Sequence, residues 1–125
     1  MADPFSDFKQ QVVRGDTIIF DATITRPPGG PPVDLTGATL VCTGRRTLEE
    51  AASAYVFRVA VGTGIVVTDP TGGLVRVTIP PAATSGLSDA PALYTDLEVT
   101  EAGGRVSTPL RGRLIITPDV SRPVP

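Results

Sequence analysis

Glycine and proline punctuate this chain about every ten residues, and the stretches between them alternate apolar with polar side chains, the pattern of strands joined by tight turns. A side-chain period of two sends alternate residues to opposite faces, so each stretch has one face to bury and one to leave wet. From Thr17 to Thr25, Ile18, Phe20, Ala22 and Ile24 fall on one face, and Thr17, Asp21, Thr23 and Thr25 on the other. Ile19 breaks the polar face, which suggests that a neighbour covers part of it.

The segment Arg26-Pro27-Pro28-Gly29-Gly30-Pro31-Pro32 cannot pair inside a sheet, because proline lacks the amide donor, and it reads as a surface loop. Val33 to Gly37 then turns the chain into a strand over Ala38 to Arg46, with Ala38, Leu40 and Cys42 inward. Thr47 to Ala54 holds Leu48-Glu49-Glu50-Ala51-Ala52, suited to a short helical turn or a hairpin loop. Tyr55 to Val61 alternates again, with Tyr55, Phe57, Val59 and Val61 on one side and Arg58 on the other. A brief strand at Ile65 to Thr68 leads to the turn Asp69-Pro70-Thr71-Gly72-Gly73, where proline fixes the bend and glycine accepts a positive φ. Leu74 to Ile79 is the next strand, ended by Pro80-Pro81, and Ala82 to Ser88 is a loop with room for one helical turn.

A last hairpin spans Leu93 to Thr100 and Arg105 to Thr117. Asp96 and Glu98 share a face of its first strand, and Arg111 and Arg113 a face of its second, so acidic and basic rows can meet as cross-strand ion pairs. Pro109 implies a sheet edge or a bulge at that point. The count of about seven to nine strands predicts an all-β, immunoglobulin-like antiparallel β-sandwich with extended termini. The expected organisation is an N-terminal arm over 1–8, a sandwich domain over 9–120 and a C-terminal arm over 121–125. No internal repeat is visible, which argues against propellers and solenoids.

At 125 residues, one domain buries roughly two-thirds of the surface that its unfolded chain exposes, enough for a core without staples. The single cysteine, Cys42, sits in an apolar strand pattern and reads as a buried, reduced thiol. The chain contains no histidine, so Ser-His and Cys-His catalysis and histidine metal ligation are excluded within one chain. A net charge of -2, scattered arginines and a single lysine, Lys9, argue against a nucleic-acid groove. No apolar run approaches the roughly 18–20 residues that span a bilayer. Met1 to Phe5 lacks the basic start and apolar core of a secretory signal, so the expected location is a cytoplasm or a particle assembled there.

The internal motifs read as structure. Arg14-Gly15-Asp16 spells an integrin-binding tripeptide but precedes a strand, where glycine bends the chain and aspartate accepts local amides. Gly62-Thr63-Gly64 lacks the third glycine, the helix and the downstream acid of a dinucleotide loop. Asp69, Asp89, Asp96 and Asp119 do not form an EF-hand spacing, no pair of acids is singled out for glycoside hydrolysis, and no tryptophan is present for a sugar platform. No cofactor, metal or small-molecule substrate is expected. The terminal segments Met1 to Ser6 and Ser121 to Pro125 are proline-containing arms with two readings, disordered tails or segments that gain order when a partner supplies burial.

Four stretches carry a resemblance: Pro32-Val33-Asp34-Leu35-Thr36-Gly37-Ala38-Thr39-Leu40, Thr68-Asp69-Pro70-Thr71-Gly72-Gly73, Tyr94-Thr95-Asp96-Leu97-Glu98-Val99-Thr100, and Leu110-Arg111-Gly112-Arg113-Leu114 with Thr117-Pro118-Asp119-Val120. Together they resemble small tail or baseplate proteins of tailed phages, in particular the N-terminal immunoglobulin-like domain of the phage baseplate upper protein family. The resemblance covers about Val13 to Arg122, and its motifs are turns and strand edges. It implies a non-catalytic virion protein of the tail, baseplate or connector region, partnered by other virion proteins and by copies of itself. Unlike the baseplate protein, which continues into segments that hold receptor-binding trimers, this sequence ends at Pro125. A capsid decoration protein and a carbohydrate-binding module are the rival expectations. The residues expected to make assembly contacts are Phe5, Phe8, Pro27, Pro28, Arg111, Arg113, Arg122 and Val124.

Overall fold

Alternation in eight short segments places one apolar row per strand, and the rows of two sheets close on each other. The structure is a computed structural model that describes residues 8–25, 30–48, 55–87 and 91–119. Its elements are β1 (Phe8–Val13), β2 (Ile18–Thr23), β3 (Thr39–Arg45), β4 (Phe57–Ala60), β5 (Ile65–Asp69), β6 (Leu74–Ile79), the single-turn helix α1 (Ala82–Ser85), β7 (Ala92–Thr100) and β8 (Val106–Thr117). A five-stranded sheet has the order β1-β8-β7-β3-β4, and a three-stranded sheet the order β2-β6-β5. With β2 to β8 read as strands B, C, C′, D, E, F and G, these are the G-F-C-C′ and B-E-D orders of an immunoglobulin-like sandwich.

Among the described strands all pairings are antiparallel except that of β1 with β8, which is parallel and runs from Phe8↔Gly112 to Val13↔Thr117; an isolated bridge, Val61↔Ile65, is also parallel. The chain leaves β1 through a turn at Gly15 (φ 82°), where the Asp16 amide donates to the Val13 carbonyl at 3.0 Å, and enters β2 in the other sheet. The inward rows are Leu40, Cys42, Phe57, Val59, Leu93, Leu97, Val99, Leu114 and Ile116 from the larger sheet, and Ile18, Ile65, Val75, Val77 and Ile79 from the smaller. Ile24, Val33 and Leu35 seal one end. Each buried aliphatic stabilises the fold by about 1.5–3 kcal/mol, so these rows outweigh any surface pair.

The end seal depends on backbone pairing in the loops. The Ile24 amide donates to the Gly73 carbonyl at 2.8 Å, the Val33 amide to the Ile24 carbonyl at 2.9 Å, and the Leu35 amide to the Pro70 carbonyl at 2.8 Å. Gly73 has φ 69°, as the turn chemistry predicts, and a Cβ there would lie 2.5 Å from the Ile24 carbonyl oxygen.

Several sequence expectations are refined. The strand β1 is absent from the sequence reading, because Lys9-Gln10-Gln11 interrupts its apolar alternation. Tyr55 and Val61 do not continue the buried row of Phe57 and Val59; β4 is only four residues long, and both lie beyond its ends at 42% and 46% exposure. Pro109 sits at a register shift between Leu97 and Val99, in the half of β8 that β1 does not reach, so edge and bulge coincide. The Thr47 to Ala54 expectation falls largely on residues 49–54, outside the described residues.

Candidate assembly surface

Parity along each strand decides which side chains face solvent. In the five-stranded sheet the outward positions are Lys9 in β1, Arg111 and Arg113 in β8, Tyr94, Asp96 and Glu98 in β7, Val41, Thr43 and Arg45 in β3, and Arg58 in β4, since their chain neighbours point to the core. The registers line them up across the sheet. One row reads Lys9, Arg113, Tyr94, Arg45, and the next reads Arg111, Asp96, Thr43, Arg58. The face thus gathers five cations around two carboxylates, on a chain whose net charge is -2.

Within it, the Arg113 guanidinium lies 5.0 Å from the Tyr94 ring centre, and Arg58 lies 5.4 Å from that of Tyr55. Val41, Thr43, Arg45, Arg58, Asp96 and Glu98 line a shallow depression of about 150 Å³. Burial in this depression, together with the charge of Glu98, holds the Asp96 carboxyl above its ordinary range, against the opposing pull of Arg45, Arg111 and Arg58. The expected juxtaposition of acidic and basic rows holds in register at one position. Asp96 stands opposite Arg111, but Arg113 stands opposite Tyr94, and the bulge leaves Glu98 opposite neither arginine.

Of the residues expected to make contacts, Arg111 and Arg113 come together on this face. Phe8 does not belong to an arm: it is the first residue of β1, half-buried, with its ring centre 6.3 Å from that of Phe20. It helps to line a cleft of about 290 Å³ between β1, β8 and β2, together with Gln10, Phe20, Ala22, Leu110 and Leu114. Phe5, Pro27, Pro28, Arg122 and Val124 lie outside the described residues. Lys9, Arg45, Arg58 and Tyr94 were missed as members of the face, although strand parity marks Arg45 and Arg58 as outward.

The remaining motifs are structural. Arg14 is 8% exposed; its Nε and a terminal nitrogen both reach the Asp119 carboxylate at 2.7 Å, and another terminal nitrogen donates to the Leu87 carbonyl at 3.0 Å. The Gly15 amide donates to the buried Thr84 hydroxyl at 2.9 Å. The Arg14-Gly15-Asp16 tripeptide is therefore built into the fold and does not present its arginine. Cys42 is a free, fully buried thiol pushed up to about 12 by desolvation and, second, by the charge of Asp96. Among the described residues, no group of three or more Cys, Asp or Glu side chains converges as metal ligands do, and no helix is long and apolar enough to cross a membrane.

No protein-family model matches this chain, and no curated protein matches its sequence.

Proposed function

We propose that this protein is a non-catalytic structural module of a tailed-phage virion, placed in the tail, baseplate or connector region, that acts by holding neighbouring proteins. The observation that carries the reading is the outer face of the five-stranded sheet, where Lys9, Arg45, Arg58, Arg111 and Arg113 surround Asp96 and Glu98 on a hydrogen-bonded β platform. Mixed charge of this kind fits a protein surface of net negative charge better than a phosphate backbone, which the two central carboxylates would repel. The resemblance of its turn and strand-edge segments to phage baseplate proteins supplies the setting.

The test is the copy number and location of the protein in purified particles, read by quantitative mass spectrometry of separated heads and tails. Enrichment in tails at a few to a few tens of copies supports the reading. Hundreds of copies on heads would make it a decoration protein, and absence from both would remove the virion reading. Arg111→Glu with Arg113→Glu should lower incorporation while leaving the isolated protein folded, since both side chains face outward.

A further inference from the structure

The outer face of the three-stranded sheet departs from what a wet face requires. Its outward positions are Ile19, Asp21 and Thr23 in β2, Leu74, Arg76 and Thr78 in β6, and Val66 and Thr68 in β5, with Asp69 set opposite Leu74 by the bulge that follows Val67. Three of these nine are large aliphatics that remain open to solvent: Ile19 is 55% exposed, Val66 59% and Leu74 39%. A solvated sheet face alternates to polar residues, and uncovered β-branched side chains on a short regular sheet invite a second layer. Asp21 and Arg76 stand directly opposite each other at the centre, joined by Nε to Oδ1 at 2.8 Å and by a second contact at 3.3 Å, with both side chains more than half exposed.

We infer that this face is a self-association surface whose occupant is the same face of a second copy of the chain. In a two-fold contact the same patch meets itself, so residue i touches j and j touches i. A face whose centre is one acid and one base on adjacent strands, with its second acid, Asp69, held at the margin by the Gly72 amide, is complementary to itself under that operation. An axis along the strands, between β2 and β6, sets Asp21 of one copy over Arg76 of the other, and brings Ile19 and Leu74 onto the partner's threonines Thr78 and Thr23. Val66 flanks the contact.

The size of the face sets the strength. Three strands spaced about 4.8 Å apart and six residues at about 3.4 Å each give roughly 300 Å² of flat area, well below the roughly 800 Å² per partner of a standard interface. Association is therefore weak in dilute solution and becomes effective where copies are held close together, as in any larger assembly. This inference goes beyond the virion reading and does not depend on it, because it concerns the isolated chain.

The experiment is a dilution series of the isotopically labelled full chain up to about 1 mM, followed by amide and methyl NMR shifts and by sedimentation. Concentration-dependent shifts are expected at Ile19, Asp21, Val66, Leu74 and Arg76, with Lys9, Tyr94 and Arg113 unmoved. Ile19→Lys should raise the dissociation constant at least about tenfold. Asp21→Arg alone should abolish association by placing like charges together, and Asp21→Arg combined with Arg76→Asp should restore it, because the swap regenerates the self-complementary pair. A strictly monomeric chain across the series, shifts confined to the five-stranded sheet, or a swap that fails to restore association while circular dichroism shows a native fold would each overturn the inference. Loss of the protein from virions would leave it standing.

Discussion

Arg14 and Asp119, 105 residues apart in sequence, are joined by an ion pair at 2.7 Å whose side chains are only 9% and 5% exposed. The pair ties the turn after β1 to the residues that follow β8, and the Arg14 amide adds a bond to the Thr117 carbonyl at 2.8 Å. It thereby locks the one parallel edge of the larger sheet. Removing one member strands the other charge in a low-dielectric site, which costs about 3–5 kcal/mol, whereas replacing both with apolar groups leaves neither charge stranded. Arg14→Ala should therefore lower unfolding stability by roughly that amount in urea titrations. Arg14→Met with Asp119→Leu should recover most of it; equal losses in the single and double variants would show that the pair contributes little beyond packing.

Gly44 and Phe57 make a steric pair across β3 and β4. A Cβ on Gly44 would collide with one edge of the Phe57 ring, against Cε2 and within 2.6 Å of Cζ and 2.7 Å of Cδ2, so the ring fills the space a side chain would take. Gly44→Ala should destabilise by about 1–3 kcal/mol through overpacking. Adding Phe57→Leu should give a smaller total loss than the sum of the two single changes, since the shortened side chain makes room. Additive losses in a double-mutant cycle would refute the steric account.

Asp96 makes a pH prediction. Its carboxyl is held above the ordinary value of 3.8, chiefly by burial, so the folded state binds its proton more tightly than the unfolded state does. The sign follows: stability falls as pH rises from about 3.8 through the raised value, and stays lower above it. Asp96→Asn removes that loss, so it should raise the midpoint of thermal unfolding slightly at pH 7 and converge with the parent at the acid end of the window. A variant less stable at pH 7 would mean that Arg45, Arg58 and Arg111 outweigh the burial cost.

The hairpins were legible in the sequence because local chemistry fixes them. Leu74 to Ile79 alternates cleanly between a Pro-Gly turn and Pro80-Pro81, and β6 has those bounds. Ala102-Gly103-Gly104 marks the turn between β7 and β8, and Pro109 marks the bulge. The parallel pairing of β1 was not legible, because a contact between residues 8–13 and 112–117 depends on the whole sandwich closing, and Lys9-Gln10-Gln11 hides the inward row of Phe8 and Val12. The candidate face was half legible. Parity predicts that Arg111 and Arg113 share a side, but that Arg45, Arg58 and Lys9 join them depends on the strand order, which no local pattern encodes.

Cys42 offers a readout of global opening. The thiol is completely buried between the sheets, with desolvation and the Asp96 charge pushing it up to about 12 from its ordinary 9.0. Since the thiolate is the reactive species, the folded chain should resist alkylation by iodoacetamide at pH 8, and labelling should appear only through unfolding. The rate should therefore rise with urea in step with the loss of β-sheet signal. The same shift gives an alkaline limb: above about 9.0 the unfolded thiol ionises while the folded one does not, so stability declines as pH rises towards 12. Cys42→Ala, which cannot ionise, should lack this part of the decline, although it loses packing and is less stable at neutral pH. Rapid labelling of the folded protein without denaturant would show instead that the sandwich opens locally around β3.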